Sequence, residues 1–204
     1  MKFILFDLGG VVVQIKRTWQ EACHGVNLIG PTDSLDIQPE IKELYHRYHA
    51  GRFDVLELAT QLSKLTRGRL SPKECLKAHR GILIGEYPQI LELIENLKKQ
   101  NQDMAVLSNT CADHWKILAT YPSILTINKY FTSFAMGLSK PDARIYRAVQ
   151  SELNVAPTQL LFFDDSPENI EAARACDWNA ELIDPQTNPC NQIKHYLQRY
   201  NIQH

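Results

Sequence analysis

The chain has 204 residues, with 22 Lys+Arg against 23 Asp+Glu for a net charge of −1, and is 44% apolar and 22% charged. That balance describes a globular protein with one core, or one core carrying a small insertion, and excludes a disordered tail. Near-neutral charge gives no electrostatic footprint for nucleic acid or an anionic membrane surface.

The first predicted element is Phe3-Ile4-Leu5-Phe6, an apolar run that reaches Asp7 and then Gly9-Gly10. It reads as a buried strand ending in a tight turn. The stretch from Phe3 to Val13 is interrupted by Asp7, is too short to span a bilayer and carries no small-residue cleavage site. It therefore predicts a core strand rather than a leader or anchor. From residue 14 to residue 85 the pattern turns helical. Ile41, Leu44, Tyr45 and Tyr48 recur at helical spacing, as do Leu56, Ala59, Leu62 and Leu65, with Pro31, Pro39, Gly51 and Ser71-Pro72 as punctuation. This predicts a helical insertion over 14–85, set in a core made of 1–13 and 86–204. The five cysteines (Cys23, Cys75, Cys111, Cys176, Cys190) are scattered without a CxxC spacing. They predict reduced thiols of a cytoplasmic protein, with neither a disulfide framework nor a zinc site.

Beyond Gly85 helices and strands alternate: a helix over 88–99, a strand over 104–107, a strand over 131–135 and a helix over 141–153. A strand over 160–163, a helix over 167–176, a strand over 180–183 and a helix over 191–200 follow. Such alternation predicts the α/β class, a doubly wound, Rossmann-like parallel sheet covered on both faces. Sites in these sheets gather at the carboxyl ends of the strands. Three predicted strands end there in polar residues: Asp7, Ser108-Asn109 and Asp164-Asp165.

Taken singly, each group has an ordinary reading. Asp7 could cap a turn, Asp165 or Ser166 could cap the helix that Pro167 opens, and Ser108-Asn109-Thr110 could be a plain strand end. Lys140 could be a solvated lysine, although a proline at the first helical position beside it leaves backbone N–H groups free for an anion. Two adjacent carboxylates repel, however. With Asp7 at the same edge they would form an all-oxygen shell suited to Mg²⁺.

In order, Asp7, Ser108, Lys140 and Asp165 are separated by 101, 32 and 25 residues. The segments are Phe6-Asp7-Leu8-Gly9-Gly10-Val11-Val12, Val106-Leu107-Ser108-Asn109-Thr110, Gly137-Leu138-Ser139-Lys140-Pro141-Asp142 and Phe163-Asp164-Asp165-Ser166-Pro167-Glu168-Asn169. This set resembles the haloacid dehalogenase superfamily over the whole chain, with the segment from about 14 to 85 where that family places a small α-helical cap. Within it the chain is similar to bacterial sugar-phosphate phosphatases whose first motif is Asp-Leu-Gly. The resemblance implies that Asp7 is a nucleophile forming an aspartyl-phosphate. It implies Mg²⁺ held by Asp7, the Gly9 carbonyl and Asp165 with Asp164 alongside, and phosphoryl oxygens held by Ser108, Asn109 and Lys140.

Gly9 departs from the pattern. Many relatives carry there an aspartate that protonates the leaving group, a contribution of about 10²–10⁴-fold. Asn169 stands where many have aspartate, and is expected to reach a metal-bound water or the Asp7 region through its amide. His114 is a candidate replacement acid or a partly buried helix histidine. His24, His46 and His49 read as solvated, and Trp19, Phe53 and Trp115 as packing residues. The leading expectation is an Mg²⁺-dependent phosphatase acting on a small phosphorylated metabolite such as a sugar phosphate, under a cap that closes over it. A weakened metal- or phosphate-binding regulatory module, suggested by Gly9, and a metal-free 2-haloacid dehalogenase remain as alternatives.

Overall fold

The computed structural model describes residues 1–28 and 37–204, so the expected break at Pro31 lies outside the described residues. The first strand, β1 (Phe3–Phe6), is followed by a short β2 (Val13–Ile15) and four helices: α1 (Trp19–Gly25), α2 (Gln38–His49), α3 (Val55–Leu65) and α4 (Pro72–Arg80). The chain returns through β3 (Leu83–Glu86) into α5 (Ile90–Lys99), β4 (Asp103–Ser108), α6 (Ala112–Leu118), α7 (Pro122–Thr126), β5 (Tyr130–Thr132) and α8 (Ser133–Met136). It ends with α9 (Ala143–Leu153), β6 (Leu160–Asp164), α10 (Pro167–Arg174), β7 (Asn179–Leu182) and α11 (Pro189–Arg199). Among the described residues no helix is long and apolar enough to cross a membrane.

Five strands form a parallel sheet in the order β5-β4-β1-β6-β7, with Phe6 beside Val106 on one side and Phe163 on the other. The central strand is buried on both faces, which is why it reads as an unbroken apolar run. Ile4 and Phe6 pack with Ile90, Leu93, Ile94 and Leu97 of α5 and Ile193 and Leu197 of α11. Phe3 and Leu5 point the other way, onto Ile145 and Val149 of α9 and Ile170 of α10. Period-two alternation thus divides β1 between two helical layers.

The insertion after β1 is helical, and its start signals are visible in the sequence. Ser71 and Glu74 form a capping box at α4, with Pro72 at the first position, and Asp54 caps α3 through the Leu56 and Glu57 N–H groups. The expected stripe on α3 shifts. Leu58, Ala59 and Leu62 are buried while Leu56 is 67% exposed, because Leu58 draws the apolar face round the helix and leaves Leu56 at its edge. The insertion is rooted in an antiparallel ribbon, β2 against β3, that the sequence reading did not anticipate.

Two further boundaries move. The strand expected over 131–135 stops at Thr132, and Ser133 opens the short α8, which Gly137 ends in a left-handed conformation (φ 64°). The Ser133 hydroxyl explains the stop: it accepts from the Thr110 N–H and lies 2.7 Å from the His49 carbonyl of the cap. The helix expected from Pro141 starts at Ala143, because the Asp142 carboxylate accepts from the Arg144 N–H and serves as its cap.

Candidate active site

Asp7 leaves the end of β1 with its N–H still donating to the Phe163 carbonyl, so the ladder with β6 carries it one residue past the strand. The chain then turns back, with Val12 and Val13 both donating to the Leu8 carbonyl. Gly10 permits this turn. It sits at φ +85°, and a Cβ there would lie 2.2 Å from Arg17 Nη2 and 2.5 Å from Asp165 Oδ2. Gly9 lies outside the left-handed region, and a Cβ there would meet the Ile15 side chain, with Cδ1 nearest at 2.9 Å.

The oxygens of Asp7, Asp164 and Asp165 come within 4.8 Å of one another. Lys140 stands among them, almost fully buried, with its ammonium donating to Asp7 Oδ1 (2.9 Å), Asp164 Oδ2 (2.5 Å) and the Leu107 carbonyl (3.0 Å). An ammonium has three hydrogens, and all three are used. Burial by itself would lower the Lys140 pKa, but the charges of Asp164 and Asp7 and their hydrogen bonds outweigh it and hold it above the usual lysine range. Asp164 is sealed from solvent. It also accepts from the Ser166 N–H at 2.8 Å and, through both oxygens, from the Asn169 amide at 3.0 Å. Burial raises its carboxyl pKa against the pull of Lys140. Asp165 is also raised by burial, opposed by Arg17, whose guanidinium is ion-paired with Oδ2.

These contacts redistribute the expected roles. Lys140 binds carboxylates and a carbonyl rather than facing open solvent. The Asn109 amide clamps the Lys140 peptide from both sides, donating to its carbonyl at 2.8 Å and accepting from its N–H at 2.9 Å. Asn169 holds Asp164, not the Asp7 region. Ser108 is buried at the end of β4, level with its partner Thr132. The sequence reading passed over Arg17, which has no fixed spacing from Asp7 and no motif around it. It likewise missed that His49, expected in solvent, is drawn in: burial, reinforced by His114 and His46, lowers its pKa to about 3. His24 and His46 are exposed as expected, and Trp19 packs inside the cap.

A cleft of about 960 Å³ opens between cap and core, with Trp19, Tyr45, His46 and His49 on the cap side and Asn109, Lys140, Ser166 and Asn169 on the core side. Lys16, Arg17 and Lys42 add positive charge to its wall. The donor set fits a hard divalent cation. Three carboxylates face two cationic side chains, leaving one net negative charge in an all-oxygen cluster.

A family described as haloacid dehalogenase-like hydrolase matches residues 1–177. Phosphatase MT3486 of Mycobacterium tuberculosis is 30% identical over 105 residues, 48% of this chain and 46% of that protein, so the chain spans about half the length of that relative. D-ribitol-5-phosphate phosphatase of Bacteroides thetaiotaomicron is 26% identical over 207 residues, 89% of this chain and 97% of that protein. The magnesium complex of a haloacid dehalogenase family enzyme from Bacteroides thetaiotaomicron superposes with a TM-score of 0.79 at 22% identity, over 95% of this chain and 98% of that one.

Proposed function

The chain belongs to the haloacid dehalogenase-like hydrolase family, and from that premise we propose that it is an Mg²⁺-dependent phosphatase of a small phosphorylated metabolite, a sugar phosphate above all. The observation that carries the reading is the convergence of Asp7, Asp164 and Asp165 at the carboxyl edge of the central strands. Asp7 is the nucleophile. Its Oδ1 is pinned by Lys140, which leaves Oδ2 to attack phosphorus. An aspartyl-phosphate forms as the bond to the leaving oxygen breaks, and water then hydrolyses it. Asp7, Asp165 and the Gly9 carbonyl would hold Mg²⁺, whose positive charge would let a carboxylate approach a phosphate dianion.

Lys140 acts by orientation. It holds Asp7 and Asp164 in place and offsets their charge, while Asn169 and the Ser166 N–H fix Asp164 from the other side. Ser108 lies at the end of β4 for a phosphoryl oxygen. The departing alkoxide finds no carboxylic acid at Gly9 and takes its proton from solvent. Support for a sugar phosphate comes from the relative that acts on D-ribitol 5-phosphate and from the cationic side chains Lys16, Arg17 and Lys42 in the cleft wall.

The test is a panel of phosphorylated metabolites assayed with Mg²⁺ and with excess chelator. Turnover that stops on chelation and returns with Mg²⁺ supports the reading. Undiminished turnover in chelator would sink the metal assignment and favour the dehalogenase chemistry. Metal binding without turnover of any phosphate would favour a binding module.

A further inference from the structure

Beside the carboxylate cluster, and independent of it, lies a second group of side chains with different chemistry. His79 is in the last turn of cap helix α4, Cys111 caps core helix α6 and His114 is in that helix's first turn. All three are buried, and each offers a ligand atom within 4.8 Å of the others. We propose that they form a site for a borderline or thiophilic divalent cation, of which Zn²⁺ is the type, and that the bound ion ties the cap to the core.

The spacing suits such an ion. His79 Nε2 lies 3.8 Å from Cys111 Sγ. Two ligands of a tetrahedral zinc, one nitrogen at 2.0–2.1 Å and one sulfur at 2.3 Å, stand about 3.6 Å apart. For this pair, closing on the metal needs a shift of a few tenths of an ångström. The rings are also held in the way that metal-bound imidazoles are held, by a partner on the nitrogen away from the metal. The Tyr45 hydroxyl is 2.9 Å from His79 Nδ1. His114 Nε2 is 2.9 Å from the His79 carbonyl. A carbonyl only accepts, so that nitrogen carries the hydrogen and the lone pair of His114 is on Nδ1. The two rings stack with centroids 4.0 Å apart and planes 15° from parallel, so binding requires one of them to tilt until both in-plane lone pairs reach a single ion.

The chemistry differs from that of the carboxylate cluster. Two imidazoles and a thiolate select a softer ion than three carboxylates do. Burial lowers the pKa of both histidines, which keeps their lone pairs available. Burial raises the Cys111 thiol, so the ion must displace its proton, which leaves to solvent as the metal–sulfur bond forms. Arg80, next to His79, makes a two-point bond to Asp113 beside His114, at 2.9 and 3.0 Å, so the two helices already meet at this place. The reading of the cysteines as plain thiols overlooked the site because its ligands follow no CxxC spacing: Cys111 and His114 are three apart, and His79 is 32 residues upstream.

The experiment titrates metal-free full-length protein with Co²⁺, in saturating Mg²⁺ to occupy the carboxylates, and records the thiolate-to-cobalt charge-transfer band. The expected result is one equivalent of Co²⁺ with that band, displaced by Zn²⁺. The band should be lost in Cys111→Ser and kept in Cys190→Ser. In His79→Gln and His114→Gln, affinity should fall by at least about tenfold, the loss already typical of an outer partner. Co²⁺ uptake by the wild type without a charge-transfer band overturns the proposal whatever the variants do. So does a band that survives unchanged in Cys111→Ser with native circular dichroism.

Discussion

The carboxyl edge of the sheet and the cap that faces it are built on opposite principles. At the sheet edge, side chains from distant parts of the chain are fixed by multiple partners: Lys140 reaches residues 133 and 24 positions away, and Asp164 accepts from three groups. The cap wall is made of side chains on α1, which has a capping box of its own in Thr18 and Glu21, and on α2, both resting on an apolar interior that belongs to the cap. The edge therefore cannot change one residue without stranding another, whereas the cap can change its cleft-facing residues and still fold. Under the proposed function, chemistry resides in the first and choice of substrate in the second. Substitutions on the two sides should accordingly differ in kind.

The largest effect is expected from Asp7→Asn. The amide keeps the oxygen that accepts from Lys140 but removes the anionic nucleophile, so turnover should fall by at least about 10³-fold while the thermal midpoint stays near that of the wild type. Retention of more than a few per cent of turnover would rule out the covalent route. Lys140→Ala should instead strike the fold. Removing one partner of a buried ion pair costs about 3–5 kcal/mol, because Asp164 is left charged and sealed from water. The pH dependence follows. Without Lys140, burial and the Asp7 charge are opposed by the Asn169 hydrogen bonds and no longer by an ammonium, and they raise the folded-state pKa of Asp164 further above its unfolded value. The folded state then binds more protons, so the variant loses stability as pH rises toward that pKa and recovers it as the carboxyl protonates. Urea unfolding at pH 5 and pH 7.5 measures this. An equal loss at both would show that Asp164 does not carry the cost.

The glycine and serine positions sharpen the contrast at smaller scale. Gly10→Ala forces a Cβ into the left-handed region, at about 1–2 kcal/mol, and into the Asp165–Arg17 contact. It should lower Mg²⁺ affinity as well as stability. Ser71→Ala removes the α4 cap at a similar cost of about 1 kcal/mol and should leave Mg²⁺ affinity unchanged. If calorimetry showed both variants weakening the metal equally, the independence of edge and cap would be lost.

The same contrast explains what was legible in the sequence. The three central parallel strands, β4, β1 and β6, were readable because burial on both faces forces apolar runs, and the capped helices because capping is local. Asp7, Asp164 and Asp165 could be placed at one edge from strand ends alone. The partners of Lys140 could not, since a lysine before a proline reads as solvated until the fold brings Asp7 and Asp164 to it. The overrun of the strand at 131–135 has the same cause: Phe134 and Ala135 look strand-like, and the turn at Ser133 depends on Thr110 and His49, both far along the chain. The stripe on α3 was misplaced because Leu56 and Leu58 are equally apolar, and only packing within the cap separates them.

The smallest change tests the seam between the two regions. Gly9→Asp would install an acid near the leaving group, and Gly9 lies outside the left-handed region, so its backbone admits the substitution. The obstacle comes from the ribbon that leads into the cap: the new Cβ would lie 2.9 Å from Cδ1 of Ile15, the far end of a flexible side chain on β2. A well-placed general acid contributes about 10²–10⁴-fold, but a misplacement of about 1 Å can forfeit 10²-fold. The single substitution is therefore expected to raise turnover of alkyl phosphates by only about tenfold, equivalent to about 1.4 kcal/mol of barrier. Aryl phosphates, whose leaving groups need little protonation, should gain less. Adding Ile15→Ala should release the rest of the gain by letting the carboxylate settle. If Gly9→Asp binds Mg²⁺ as the wild type does, and neither it nor the double variant is faster than the wild type on alkyl phosphates, proton transfer does not limit turnover.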